Sequence, residues 1–162
     1  MTAPHLYTFL LSFVTWIILS GKFDPFHLSL GVISSALISW FSADLLFPQG
    51  APKGMIRKAI GLARYIPWLI YQVILANLYV LYLSLHPRSL EKINPQIIKF
   101  QSKLKSELSM VVFANSITLT PGTITVYVSV DGTFQVHAID DKVASSLPGD
   151  MEVRVGKAFG EM

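Results

Sequence analysis

Along this chain the spacing of apolar residues changes character once. The first 85 residues hold three long uncharged runs: Met1–Gly21, Pro25–Ala43 with a continuation past Asp44 to Phe47, and Tyr65–Leu85. A bilayer core of about 30 Å needs about 20 helical residues at 1.5 Å each, so these runs predict membrane helices over roughly 5–21, 26–47 and 65–85. Only Gly21-Lys22-Phe23-Asp24 separates the first two, which predicts a tight helical hairpin followed by a separate third span. The first run is short, so a re-entrant hairpin stands as the alternative. A cleaved signal peptide is disfavoured, because the run lacks a basic leading region and a small-residue cleavage site.

Behind the polar break His86-Pro87-Arg88 the pattern shortens. Gln96–Ser102 reads as a strand, and Lys103–Ser116 as a helix with Leu104, Leu108, Val111 and Val112 on one face. Pro121-Gly122 marks a turn. Thr123–Val130 then alternates, with Ile124, Val126, Val128 and Val130 on one side, and Thr133–Ile139 puts Phe134, Val136 and Ala138 together. A two-residue Asp131-Gly132 loop would mix the faces of this hairpin. A three-residue loop from Val130 to Gly132 pairs Val128 with Phe134 and Val126 with Val136, and gives Gly132 the left-handed position. The fold expected is a membrane α-helical region (1–85, about three hydrophobic helices) and a small C-terminal α+β domain of β-α-β-β type (86–162).

Composition agrees with that division. The chain is 52% hydrophobic and 14% charged, with mean hydropathy +0.51; a soluble domain carries about a quarter charged residues. Residues 1–85 hold five basic and two acidic side chains, and residues 86–162 hold eight of each, so the net charge of +3 sits in the apolar half. This is the distribution of a membrane protein, with no nucleic-acid partner. Cysteine is absent, which excludes disulfides and thiolate metal sites. For three spans, Lys53, Arg57, Lys58 and Arg64 flank one side, and Lys22, Arg88, Lys92, Lys99, Lys103 and Lys105 the other. Six against four puts the C-terminal domain in the cytoplasm and the N-terminus outside.

The membrane runs show packing more than chemistry. Gly31, Ser35, Ser39 and Ala43 recur every four residues, and small side chains let another helix approach closely. A partner subunit and a helix of this same chain are both open as that neighbour. Gln72 and Asn77 are expected to face protein, Tyr65, Trp68, Tyr79 and Tyr82 to anchor at the interface, and Pro67 to lie near a helix start. Ion carriers place ionisable groups inside their spans. Asp24 and Asp44 are the only candidates here, and both read as interfacial. His5, His27 and His86 have no ligand spacing, His137 falls on the polar hairpin face, and no nucleotide or hydrolase motif occurs. The expectation is no catalytic residue, no metal and no cofactor.

The run Ala114–Thr123, ANSITLTPGT, joins the amphipathic helix to the hairpin. Its Pro-Gly pair suits a tight turn with Gly122 at positive φ, and Thr118, Thr120 and Thr123 offer hydroxyls to the backbone. Together with the following residues to Asp140 it resembles the signature of the E-type subunits of the Mrp-type (Mnh or Pha) multisubunit sodium/proton antiporter. The match is close at Asn115, Ile117–Thr123 and Val136–Asp140, with Ile139 where leucine is more usual. The resemblance also covers the order of the parts and the SGKFDP link. It implies an accessory subunit of a bacterial plasma-membrane complex that exchanges sodium or another monovalent cation for protons, with ion passage in larger subunits. The partners implied are those other subunits and the bilayer. Candidate subunit-contact residues are Gly31, Ser35, Ser39, Ala43, Asn115, Thr118, Thr120, Pro121, Gly122 and Thr123. A membrane-anchored regulatory binding module is the alternative, and a membrane enzyme ranks below both.

Overall fold

The computed structural model describes residues 3–46 and 54–162; expectations resting on Met1, Phe47 and Lys53 lie outside the described residues. Three helices, α1 (Ala3–Ser20), α2 (Pro25–Leu46) and α3 (Met55–Leu85), are long and apolar enough to cross a membrane. The chain separates into two compact units, one ending at Met55 and one running from Ile56 to Met162.

The first unit is the α1–α2 hairpin. Gly21 leaves α1 at φ 57°. The Asp24 carboxylate accepts the His27 backbone N–H at 3.0 Å, so Asp24 caps α2, and Pro25 follows in the first helical position. Proline costs nothing there, because that N–H has no intrahelical partner. The small-residue stripe faces α1. Ser35, Ser39 and Ala43 are 2%, 1% and 0% exposed, and the Ser39 hydroxyl donates to the His5 carbonyl at 2.6 Å. A Cβ on Gly31 would enter the Trp16 ring, whose Nε1 donates to the His27 carbonyl at 3.1 Å. The room that the small residues leave is thus taken by α1.

The second unit joins α3 to a mixed domain: α4 (Ser89–Lys92), β1 (Gln96–Gln101), α5 (Glu107–Leu119), β2 (Thr123–Val128), β3 (Thr133–Ala138), α6 (Asp141–Ser145) and α7 (Gly149–Phe159). The sheet is antiparallel in the order β1-β3-β2. Central β3 buries Phe134, Val136 and Ala138, the first two in one cluster with Phe113 and Ile117 of α5 and Val155 and Phe159 of α7. Phe134 stacks on Phe100 with centroids 5.5 Å apart and lies 5.1 Å from Phe113. Offset and tilted ring pairs of this kind add about 0.5–1.5 kcal/mol beyond their area burial. The β-α-β-β order is present, and α6 and α7 extend it.

Two local expectations change. The helix starts at Glu107 behind the N-cap Ser106, and its buried residues are Ser109, Met110, Phe113, Ser116 and Ile117. Leu108 and Val111 are exposed, because Leu104 enters the core from outside the helix and no longer sets its phase. In the hairpin Val128 pairs with Phe134 as expected and Gly132 takes φ 84°. A β-bulge between Thr125 and Tyr127 then shifts the register, so Thr125, not Val126, lies opposite Val136. One extra residue reverses the faces beyond it. Ile124 and Val126 are consequently 56% and 55% exposed.

Candidate functional site

The signature turn closes on itself. Thr118 Oγ1 donates to the Ala114 carbonyl at 3.0 Å and accepts the Thr125 N–H at 3.2 Å. Thr120 Oγ1 donates to the Ser116 carbonyl at 2.8 Å. The Thr123 hydroxyl, buried, reaches the carbonyls of Ile117 at 2.6 Å and Thr120 at 2.9 Å. These carbonyls lie at or near the end of α5, where main-chain donors run short; those of Ile117 and Thr120 also accept the Thr120 and Thr123 N–H groups, at 3.2 and 3.3 Å. Gly122 takes φ 95°, and its carbonyl accepts the Ile139 N–H at 2.9 Å. The run thereby locks the end of α5 to both hairpin strands. Pro121 is half-buried, while Asn115 and Thr118 keep exposed flanks.

Under the turn lies α3. A Cβ on Gly122 would stand 3.6 Å from Val80 of α3 and 3.1 Å from Ile139. Beside it the Tyr79 hydroxyl donates to the Asp140 carboxylate. The other oxygen of Asp140 accepts the Val143 N–H at 2.8 Å as the N-cap of α6, and Lys142 Nζ sits 4.1 Å over the Tyr79 ring. Earlier on α3, Trp68 and Gln72 face Thr120, Thr123 and Met151 across a cavity of about 350 Å³. Arg154 of α7 lies 4.5 Å from the Trp68 ring. Tyr65 is part of the domain core, and Gly61 meets the backbone of Ala158 so closely that a Cβ would strike its carbonyl.

Sequence reasoning missed this seam. Gln72 faces protein as expected, but Tyr65, Trp68 and Tyr79 meet the domain where interfacial anchoring was expected, and Asn77 bonds its own Val73 carbonyl at 2.8 Å. Pro67 is interior to α3, since the helix begins ten positions before the uncharged run, at Met55. A signal was present. Gly61, Tyr65, Trp68, Gln72 and Tyr79 recur at helical spacing on one face of an otherwise aliphatic helix. His137 lies across from Ile97 and Ile124 on the sheet.

Several carboxylates outside the apolar helices are held by hydrogen bonds. Hydrogen bonding to the backbone N–H of His27 lowers the Asp24 carboxyl below the usual carboxylate range. The Ser129 and Thr133 hydroxyls do the same for Asp131. For Glu161, burial raises the carboxyl, but hydrogen bonds from the Lys105 and Ser106 backbone and the Ser106 and Ser109 hydroxyls outweigh it and leave it lowered. Buried Glu152 accepts from the Ser102 hydroxyl and the Lys103 N–H, each at 2.7 Å. Among the described residues no group of three His, Cys, Asp or Glu is placed to hold a metal ion.

A family model described as Na+/H+ ion antiporter subunit (MNHE) matches residues 9–158. The E1 subunit of the Na(+)/H(+) antiporter of Staphylococcus haemolyticus is 31% identical over 141 residues, covering 86% of this chain and 84% of the relative. Its counterpart from Staphylococcus saprophyticus is 29% identical over 153 residues, or 91% of each chain. Among solved structures, a chain of the membrane-bound sulfane sulfur reductase, an archaeal respiratory membrane complex, is similar with TM-score 0.77 and 31% identity, over 94% of this chain and 98% of that one.

Proposed function

We propose, from the premise that this chain belongs to the MNHE family of Na+/H+ ion antiporter subunits, that it acts as an accessory, assembly-type subunit and is not itself the ion path. Membership makes it a membrane subunit of a multisubunit Na+/H+ antiporter of the Mrp type. The observation that carries the accessory reading is an absence of charge. No Asp, Glu, Lys or Arg occurs from Ala3 to Ser20, from Pro25 to Ala43 or from Tyr65 to Leu85. Proton relays and cation sites inside a bilayer are built from such groups, so sodium and protons pass through larger partner subunits.

On this reading the outer flank of Asn115 and Thr118, beside exposed Ile124 and Val126, is the docking surface for a neighbouring subunit. Thr120, Pro121, Gly122 and Thr123 hold its shape, and Gly31, Ser35, Ser39 and Ala43 hold together the hairpin presented to the complex. The complex sits in the bacterial plasma membrane with the mixed domain in the cytoplasm. No cofactor is assigned. The test is a deletion strain, followed by sodium tolerance, antiport in everted vesicles and native-gel size of the complex. The expected result is loss of all three, with Asn115→Arg weakening retention of the subunit. An intact complex with normal antiport in the deletion strain overturns the proposal.

A further inference from the structure

We infer that α3 does not cross the bilayer but lies along its surface, with the mixed domain on one flank and anionic lipid under the other. Contacts between α3 and the domain run from Gly61, through Tyr65, Trp68 and Tyr79, to Val80. Between Gly61 and Tyr82, whose hydroxyl accepts from Lys92 Nζ at 2.8 Å, the helix advances about 32 Å at 1.5 Å per residue. That is about the full thickness of the hydrocarbon core. A helix crossing the bilayer with this flank intact would carry the domain into the membrane. The groups standing against it include Arg154, Lys142 and Asp140. Charged side chains at membrane depth are strongly disfavoured.

The opposite flank has the reverse character. Ile66, Ile70, Ile74, Leu78 and Leu81 form an exposed apolar strip along the length of α3. Exposed Arg57 and Arg64 and half-exposed Lys58 lie at its leading end, and no acidic residue occurs anywhere from Met55 to Leu85. An apolar strip, a basic leading end and no acid suit a helix held in the headgroup plane by its domain, with anionic lipid against the cations.

The distribution of charge about the hairpin points the same way. An antiparallel hairpin returns the chain to its starting side, whether it crosses twice or turns back inside the bilayer. If α3 then stays on that side, the N-terminus and the mixed domain share it. Lys53, Arg57, Lys58 and Arg64, all within about 20 residues of the end of α2 and so near enough to a span to count, then lie on that side, and Lys22 stands alone opposite. Four against one obeys the positive-inside bias better than six against four. This inference does not depend on the accessory role.

Because the chain has no cysteine of its own, single substitutions can test it in the full complex, with cysteines of the other subunits replaced. Spin labels at I66C, I70C, I74C, L78C and L81C, in vesicles of phosphatidylethanolamine and phosphatidylglycerol, should all report one shallow depth, about 5–10 Å below the headgroup boundary. A depth profile that rises to the bilayer centre and falls again overturns the inference. Immobile labels shielded from oxygen also overturn it, by making the strip a contact with another subunit. In sealed vesicles an impermeant maleimide should modify A3C and K99C from the same side; opposite sides sink the proposal.

Discussion

The α1–α2 hairpin and α3 look alike by hydropathy and are held in different ways. The hairpin is sealed by what its residues lack: Gly31, Ser35, Ser39 and Ala43 bring α1 close, and the Ser39 hydroxyl and the Trp16 N–H bond main-chain carbonyls across the seam. The α3 seam is sealed by what its residues carry: a phenol on a carboxylate, an indole under a guanidinium, an aromatic ring in the core. The difference teaches that uncharged length measures how well a helix tolerates lipid, not whether lipid surrounds it.

Substitutions should separate the two seams. The largest effect is expected at Gly61→Leu, because the new side chain meets main chain at Ala158, which cannot turn aside. A loss of about 3 kcal/mol, near the upper end for overpacking, should appear as a fall in the melting temperature of the mixed domain. At Gly31→Leu the atoms nearest the new Cβ belong to the Trp16 side chain, which can shift, so the cost should be less. Equal losses at both positions would erase the distinction.

Glu152→Ala leaves the Ser102 hydroxyl and the Lys103 N–H without their shared acceptor. A cost of about 1–3 kcal/mol follows for buried groups left unpaired, read as faster hydrogen exchange at β1 and α7 with α1–α2 unchanged. Of similar size, Tyr79→Phe removes the bond to Asp140 but keeps the ring under Lys142. Hydrogen bonds to charged groups contribute about 1.5–3 kcal/mol, and proteolysis near Asp140 should report the loss. A variant as resistant as the parent would show that packing alone fixes α3.

Acid should weaken the mixed domain. Glu161 titrates below its ordinary value when folded, so the stability it contributes is present above the unfolded carboxyl pKa and is lost as pH falls through the lowered folded pKa. Glu161→Gln should flatten that fall as pH drops through and below the ordinary carboxylate range. An unchanged acid limb would remove Glu161 from the account. The smallest change is expected at Ser39→Ala, which forfeits one bond to His5; hydrogen bonds between membrane helices average about 0.6 kcal/mol.

Much of this architecture was legible from spacing. Runs of uncharged residues located α1 and α2, Gly21 and Asp24 located the turn between them, and the clash of faces in a two-residue loop selected the three-residue one that Gly132 completes. The four-residue stripe was visible, but not its neighbour: a small residue advertises room without saying which helix enters it. The buried face of α5 was misread because Leu104 mimics a helical position while sitting before the N-cap Ser106. The bulge in β2 left no mark, since Ile124 and Val126 alternate as well whether they face core or solvent. The two acidic groups that fix α5 and α7, Glu161 and Glu152, act on residues about fifty positions away, a distance that local pattern does not encode.

By itself the sequence determined which segments are apolar enough for a membrane helix, that three long runs hold no Asp, Glu, Lys or Arg, and which family ANSITLTPGT resembles. Those properties are additive along the chain, and each residue contributes through its own transfer free energy or backbone preference. Tertiary structure alone decided that the threonines of that run satisfy the end of α5, that Gly122 rests beside Val80, and that α3 has a domain along its flank. These are pairings between distant residues, and their energy exists only once both partners are in place.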